Sequence, residues 1–190
     1  MGISQVAVFL DRDGVVNRAI VRNGKPYPPA NVQQMEIMPD AFTALPLLKQ
    51  AGFRLVVVTN QPDVARGKQT KKEVEQMHQA LQSALPIDDF YVCYHDDADG
   101  CACRKPKPGL LIQAAAEHGL RLSDSYLIGD RWRDVEAGRA AGVRTVFLDF
   151  GYQEQKPKQA PDATVSSLSE AAEWILKRGS RSEATARSEH

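Results

Sequence analysis

Asp11 and Asp13 stand one residue apart in the run Asp11-Arg12-Asp13-Gly14, spaced so that a tight turn at Gly14 aims both carboxylates at one centre. Unperturbed, both are ionised at pH 7, with pKa about 3.9. Adding Asp130 and a phosphate dianion creates repulsion of roughly 4 kcal/mol per close pair, at an effective dielectric near 20 and a separation of about 4 Å. Such a cluster requires a cation. Magnesium suits an all-oxygen site that keeps some waters and shares a ligand with a phosphate group. With the charge compensated, Asp11 reads as a nucleophile on phosphorus. Asp13 reads as the acid that protonates the leaving oxygen and then as the base that activates water. Thr59 offers a hydroxyl and a backbone N–H to a transferring phosphoryl group, and Lys105 offers a fixed positive charge.

Taken singly, each residue has a plainer reading. Asp11-x-Asp13 is then a solvated turn, Thr59 a capping hydroxyl and Lys105 a surface charge, while Asp130 and Asp134 cap a helix. Their placement relative to predicted strands argues otherwise. Short runs rich in β-branched or aromatic residues recur at Val6–Leu10, Arg54–Thr59, Phe90–Tyr94, Tyr126–Ile128 and Thr145–Leu148. The first is followed at once by Asp11, the second by Asn60-Gln61, the third by His95, and the fourth by Gly129-Asp130 with Asp134 four residues on. In an open parallel sheet such residues collect at the carboxyl edge, where ligands bind.

Helical spacing fills the gaps between strands. Over Thr70–Leu85 a capping box of Thr70 with Glu73 precedes the stripe Val74, Met77, Leu81 and Leu85. Asp40–Ala51 reads as a helix capped by Asp40 and stopped by Gly52, with Pro46 kinking it or shifting its start. Gly109–His118, Val135–Ala141 and a last helix opened by Ser167 with Glu170 complete an α/β alternation, which implies a mainly parallel sheet covered on both faces. Val15–Pro39, with Gly24 and Pro26, Pro28, Pro29 and Pro39, reads as a long loop with little regular structure. His78 and His118 read as ordinary helix residues. One domain over 1–178 and a disordered tail over 179–190 are expected.

A second cluster lies at 93–103: Cys93 and His95, then Cys101 and Cys103, around a loop with Asp96, Asp97, Asp99 and Gly100. Three thiols and an imidazole are what tetrahedral zinc prefers, and with no open position the zinc is structural, shaping the loop that leads into Arg104 and Lys105. The alternative is a core Cys93, an exposed His95 and free thiols.

Composition removes several classes. Apolar residues make up 43% and charged residues 25%, an ordinary globular balance. Lys plus Arg and Asp plus Glu each number 24, so no basic field exists for nucleic acid or an anionic membrane. The aliphatic run Leu55–Val58 is far short of the ~20 residues that span a bilayer, and the start of the chain does not read as a signal peptide. A cytoplasmic protein, expected to be a monomer, follows from this reading.

These motifs resemble the haloacid dehalogenase superfamily, whose four motifs match Asp11-x-Asp13, Thr59, Lys105 and Gly129-Asp130-x-x-x-Asp134. More narrowly, Asp11-Arg12-Asp13-Gly14, Val58-Thr59-Asn60-Gln61, Ala65-Arg66-Gly67 and Cys101-Ala102-Cys103-Arg104-Lys105-Pro106 resemble the family of D-glycero-D-manno-heptose-1,7-bisphosphate 7-phosphatases. The resemblance implies a HAD-like Rossmannoid fold, three layers α/β/α with sheet order 5-4-1-2-3 and no large cap domain. It implies Mg²⁺ held by Asp11, the Asp13 backbone carbonyl and Asp130, structural Zn²⁺, and substrate contacts from Asn60, Gln61 and Arg104. It also implies a phosphorylated sugar as substrate, an aspartyl-phosphate intermediate and a role in making ADP-heptose for lipopolysaccharide. After Asn17 many members carry an Asp/Gly/Tyr segment that helps hold the sugar, and this chain reads Arg18-Ala19-Ile20-Val21-Arg22-Asn23-Gly24 instead. Histidinol-phosphate phosphatase shares the four motifs and a similar Cys/His loop. A zinc-stabilised module that binds phosphorylated ligands without chemistry is the alternative from another class, and the presence of both Asp11 and Asp13 argues against it.

Overall fold

The strands sort their alternate residues between two hydrophobic layers, and this alternation fixes the architecture. A computed structural model describes residues 5–187, in side-chain detail through Arg178. In chain order its elements are β1 (Ala7–Leu10), β2 (Ile20–Arg22), β3 (Lys25–Tyr27), α1 (Ala41–Gln50), β4 (Arg54–Asn60), α2 (Lys71–Ala84), β5 (Asp89–Cys93), α3 (Gly109–His118), β6 (Tyr126–Gly129), α4 (Trp132–Ala141), β7 (Arg144–Leu148), β8 (Ala163–Val165) and α5 (Leu168–Arg187). Val8, Leu10, Leu55, Val57 and Ile128 face a core completed by α1, α5 and Leu81 of α2. Ala7, Phe9, Val56, Val58 and Leu127 face the other way, onto Leu110, Leu111 and Ala114 of α3 and Ala137 of α4. Each such large side chain, fully withdrawn from water, contributes roughly 1.5–3 kcal/mol.

All neighbours in the six-stranded sheet pair in parallel, in the order β5-β4-β1-β6-β7-β8. Counted among the five expected strands, this is the implied order 5-4-1-2-3 seen from the opposite edge, with β8 added beyond the fifth. The chain winds outward from β1 through β4 to β5, then returns to the other side of β1 with β6. The reversal between β1 and β6 opens a crevice at their carboxyl ends. No helix among the described residues is long and apolar enough to cross a membrane.

Four local readings change. The stretch expected to be an irregular loop contains a hairpin, β2 antiparallel to β3, turned by Asn23 and Gly24 at φ 50° and 71°. That pair has the left-handed backbone of a two-residue hairpin turn, which Asn-Gly adopts at little cost. Helix α1 starts at Ala41 with Pro46 in its interior, so the shifted start, one of the two effects expected of the proline, does not occur. Asp40 makes no side-chain cap to α1; its Oδ2 instead accepts from the Ser169 backbone N–H at 3.2 Å, at the start of α5. Helix α5 continues to Arg187, so 179–187 are helical where a disordered tail is expected, and residues 188–190 lie outside the described residues. That tail contains no proline, and Ala184 and Ala186 favour helix.

Other expectations hold. The capping box of α2 is present, with Glu73 N–H donating to Thr70 Oγ1 (3.2 Å) and Thr70 N–H donating to Glu73 Oε2 (2.8 Å). Ser167 Oγ accepts from the Glu170 N–H at 3.2 Å, as the opening of α5 requires.

Candidate active site

Asp11 follows β1 directly, and its backbone N–H donates to the Ile128 carbonyl of β6 at 2.9 Å, so the first residue past the sheet is still held by the sheet. Its Oδ1 accepts from the Arg12 N–H (2.8 Å) and pairs with Lys105 Nζ (2.9 Å). Lys105 is buried and fully engaged, reaching Asp134 Oδ1 at 2.6 Å and donating to the Val58 carbonyl at 2.8 Å. Asp134 performs two tasks: Oδ1 holds Lys105, while Oδ2 accepts from the Arg131 N–H at 3.0 Å and caps α4. The helix-cap reading of Asp134 is therefore correct and incomplete.

Asp130 differs from its neighbours. It is 1% exposed, and neither carboxylate oxygen has a donor in good hydrogen-bond geometry among the described residues, the nearby Tyr152 hydroxyl being raised in pKa by burial and then by the charge of Asp130. A buried carboxylate without donors is costly unless a cation joins it or it protonates. Burial, followed by the charge of Asp11, pushes its carboxyl well above the usual carboxylate range. Burial and Asp134 likewise raise Asp11 to about 6, against the lowering effect of Lys105. Oxygens of Asp11, Asp130 and Asp134 all lie within 4.8 Å of one another. Asp134 has already committed both oxygens to protein donors, which leaves Asp11 and Asp130 as the carboxylates suited to a hard divalent cation.

Gly14 makes this approach possible. A Cβ there would sit 1.8 Å from Asp130 Oδ2, and its φ of +94° lies where side chains are disfavoured. The loop after β1 can thus lie directly against the carboxylate that follows β6.

The Asp13 carboxylate is gripped from several directions. Oδ1 accepts from Arg12 Nε (3.1 Å) and Asn17 Nδ2 (3.0 Å), and Oδ2 from Arg12 Nη2 (3.0 Å) and Gln61 Nε2 (2.9 Å). Gln61 is completely buried and also donates to Thr59 Oγ1 at 2.8 Å. Its position departs from the substrate contact that the resemblance implies: the amide aligns Asp13 and Thr59 and does not face the cleft. Asn60 lines the cleft, yet its amide is paired with the Lys105 backbone, donating to the carbonyl and accepting from the N–H at 3.0 Å each. Thr59 uses Oγ1 as an acceptor, leaving its own proton for an anion in the cleft.

The cleft has a volume of about 310 Å³ and is lined by Asp11, Asp13, Thr59 and Lys105 on its floor, with Lys25, Arg66, Arg104, Arg131 and Arg133 among its walls. Arg104 donates to Asp97 Oδ1 (2.8 Å), and Arg133 reaches the same oxygen at 3.1 Å. Arg66 grips Asp96 at 2.6 and 2.7 Å. Arg131 pairs with Glu154, which also lines the cleft. Lys25 arrives on the hairpin, which Gln153 N–H fastens by donating to the Gly24 carbonyl at 2.8 Å.

Asp96 and Asp97 belong to the loop framed by the Cys/His cluster. Cys103 Sγ lies 3.2 Å from Cys93 Sγ, 3.4 Å from Cys101 Sγ and 3.4 Å from His95 Nδ1, while Cys93 and Cys101 are 3.6 Å apart. These separations are far beyond the roughly 2.05 Å of a disulfide and are close to the edges of a tetrahedron with Zn–S about 2.3 Å. The four predicted ligand atoms converge, and the donor set fits zinc.

Sequence reasoning gave no role to Arg12 or Asn17 and read His78 as an ordinary helix residue; all three are buried. For His78 the signal was available: it falls between Val74 and Leu81 on the buried stripe of α2.

A HAD-hydrolase-like family model matches residues 102–171. A D-glycero-β-D-manno-heptose-1,7-bisphosphate 7-phosphatase of Helicobacter pylori is 36% identical over 179 residues, covering 89% of this chain and 96% of the relative. The protein of that name from Escherichia coli K12 is 34% identical over 188 residues, covering 93% and 91%. The crystal structure of a D,D-heptose 1,7-bisphosphate phosphatase from B. bronchiseptica, complexed with magnesium and phosphate, superposes with a TM-score of 0.75 at 27% identity, covering 92% of this chain and 99% of that one. With motifs, sheet order and near full-length relatives in agreement, the chain belongs to the HAD-like hydrolases, in the family of the D-glycero-β-D-manno-heptose-1,7-bisphosphate 7-phosphatases.

Proposed function

We propose that this chain is a Mg²⁺-dependent phosphatase that removes the 7-phosphate of D-glycero-β-D-manno-heptose 1,7-bisphosphate, on the route to ADP-heptose and the lipopolysaccharide core. The observation that carries the reading is Asp130, a buried carboxylate with two unpartnered oxygens beside Asp11 and the buried Lys105. Asp11, Asp130 and the Asp13 carbonyl would hold Mg²⁺. Once bound, the ion compensates the charge of the acids and the phosphate and polarises the P–O bonds. Lys105 fixes Asp11 Oδ1, which orients the carboxylate for attack on phosphorus. As the bond from phosphorus to the sugar oxygen breaks, Asp13 delivers a proton to that oxygen, and the sugar leaves as an alcohol. Asp13 then takes a proton from water, which attacks the phosphorus of the aspartyl phosphate, releasing inorganic phosphate and restoring Asp11. Thr59 donates its hydroxyl to the transferring group.

Arg104 and Arg133, spaced around Asp97 at the rim, suit the second phosphate, which favours a bisphosphate over histidinol phosphate. Zn²⁺ at Cys93, His95, Cys101 and Cys103 would be structural and would anchor Asp96 and Asp97. None of the three cysteines is in a disulfide, which suits a reducing compartment, the cytoplasm. The two hydrophobic layers share one sheet, which supports one domain over 1–178.

Turnover followed by ³¹P NMR tests the proposal. With the β-anomer of the bisphosphate, the 7-phosphate signal is expected to convert to inorganic phosphate while the 1-phosphate remains. A strong preference for histidinol phosphate, or release of the 1-phosphate, would overturn it.

A further inference from the structure

Arg12 is the largest of the fully buried side chains, a cation at 0% exposure placed between two residues of the active-site loop. One side of its guanidinium meets Asp13 as a fork, Nε to Oδ1 at 3.1 Å and Nη2 to Oδ2 at 3.0 Å. The remaining arm, Nη1, lies 3.3 Å from His78 Nε2. Arginine has donors only, so His78 Nε2 must be the acceptor, which places the ring proton on Nδ1. The ring is itself fixed, stacked on Phe90 of β5 with centroids 4.5 Å apart and planes 18° from parallel. Burial and then the charge of Arg12 lower the His78 pKa to about 3, so the imidazole stays neutral over the working range.

Resting on the assignment of Asp13 as the acid and base of the reaction, we infer that His78 is a positioning residue for Asp13, acting through Arg12. A two-point fork fixes the plane shared by guanidinium and carboxylate, yet the pair can still swing together about the side-chain torsions of Arg12. The third contact, to a ring clamped between α2 and β5, removes that freedom and ties the Asp13 carboxylate to the body of the sheet. Without the acceptor, a charged N–H is left buried and unpaired, and the guanidinium turns to find another partner, taking the carboxylate with it. Misplacement of an acid by a fraction of an ångström is felt in the chemical step more than in substrate binding.

The test uses the full chain with Mg²⁺. His78→Phe keeps a flat ring against Phe90 and removes the acceptor; it is expected to lower kcat about tenfold with KM within about twofold. His78→Gln, which returns an acceptor oxygen, is expected to recover most of the loss. In an Asp13→Asn background, adding His78→Phe is expected to change nothing further, because the group being positioned is no longer an acid. Equal losses in both backgrounds, a loss confined to KM, or a Gln variant no better than Phe would overturn the inference and leave the role of Asp13 standing. Undiminished turnover by Asp13→Asn alone would instead overturn the underlying mechanism. A measurement on the unaltered protein guards against a variant that fails to fold. The ¹⁵N shifts of the His78 ring are expected to report a protonated Nδ1 and a bare Nε2, and a proton on Nε2 would sink the proposal.

Discussion

At the acid rim, Asp11, Asp130 and Asp134 bring carboxylate oxygens within 4.8 Å of one another, and both oxygens of Asp130 remain without a donor in good geometry. In the loop after β5, Cys93, His95, Cys101 and Cys103 converge as closely, with four soft or borderline ligand atoms and none to spare. The first set is hard, charged and incomplete, so a cation there keeps positions for water or phosphate. The second is soft and closed, so a cation there can only hold the backbone. One chain thus separates metal chemistry from metal architecture by ligand type and by how many positions are filled. The two are joined mechanically, because Asp96 and Asp97 in the closed loop hold Arg66, Arg104 and Arg133 at the mouth of the open site.

The sharpest attempt to break this contrast is Asp11→Asn. Turnover is expected to fall on the order of 10⁴-fold or more, with the melting curve and the zinc content unchanged; retained activity would erase the distinction. Lys105→Met comes next. It strips Asp11 and Asp134 of their shared buried cation, with an expected loss of about 3–5 kcal/mol in stability by denaturant titration. A loss below about 1 kcal/mol would show that the acids are compensated some other way. Elemental analysis is expected to find roughly one zinc per chain, lost in Cys101→Ser. That substitution should cost on the order of 3 kcal/mol and reduce kcat/KM about tenfold through slackened Arg104. Full activity without zinc would uncouple the two regions. The smallest effect concerns pH. Because Asp11 is raised from 3.8 to about 6, the folded chain without cation holds a proton that the unfolded chain releases. The stability from this group is therefore full below about 3.8 and is lost as pH rises through about 6, roughly 1–2 kcal/mol of it between about pH 5 and pH 7.5. Added Mg²⁺ should raise the melting temperature more at pH 7.5 than at pH 5, and equal shifts would place the ion elsewhere.

Residues at the end of, or just after, β-branched runs were legible from sequence, because a parallel sheet must deliver them to one edge. Asp11, Thr59 and Asp130 follow that rule, and the cysteine pairs were visible as a donor set. Sheet order came through resemblance and not through periodicity, which says nothing of neighbours. Strand β8 is three residues at an edge, too short to carry a pattern. The hairpin carried a clear Asn23-Gly24 signal, masked by the prolines around it. Gln61 is a substrate contact only through the resemblance, and the approach of Asp13 across 48 positions gives its amide a different use. Asp40 looked like the cap of its own helix, whereas its carboxylate serves a helix 129 residues away. Nonlocal partners decided the cases of Gln61 and Asp40.

The tie between Asp40 and Ser169 has a consequence in time. Every residue assigned to the chemistry has been synthesised by Asp134, yet Leu168, Ala171, Ala172 and Ile175 supply the layer over one face of the sheet. A nascent chain halted after β7 would carry the whole catalytic set on a sheet with one face covered by α1 but still lacking α5, so competence should arrive when α5 docks.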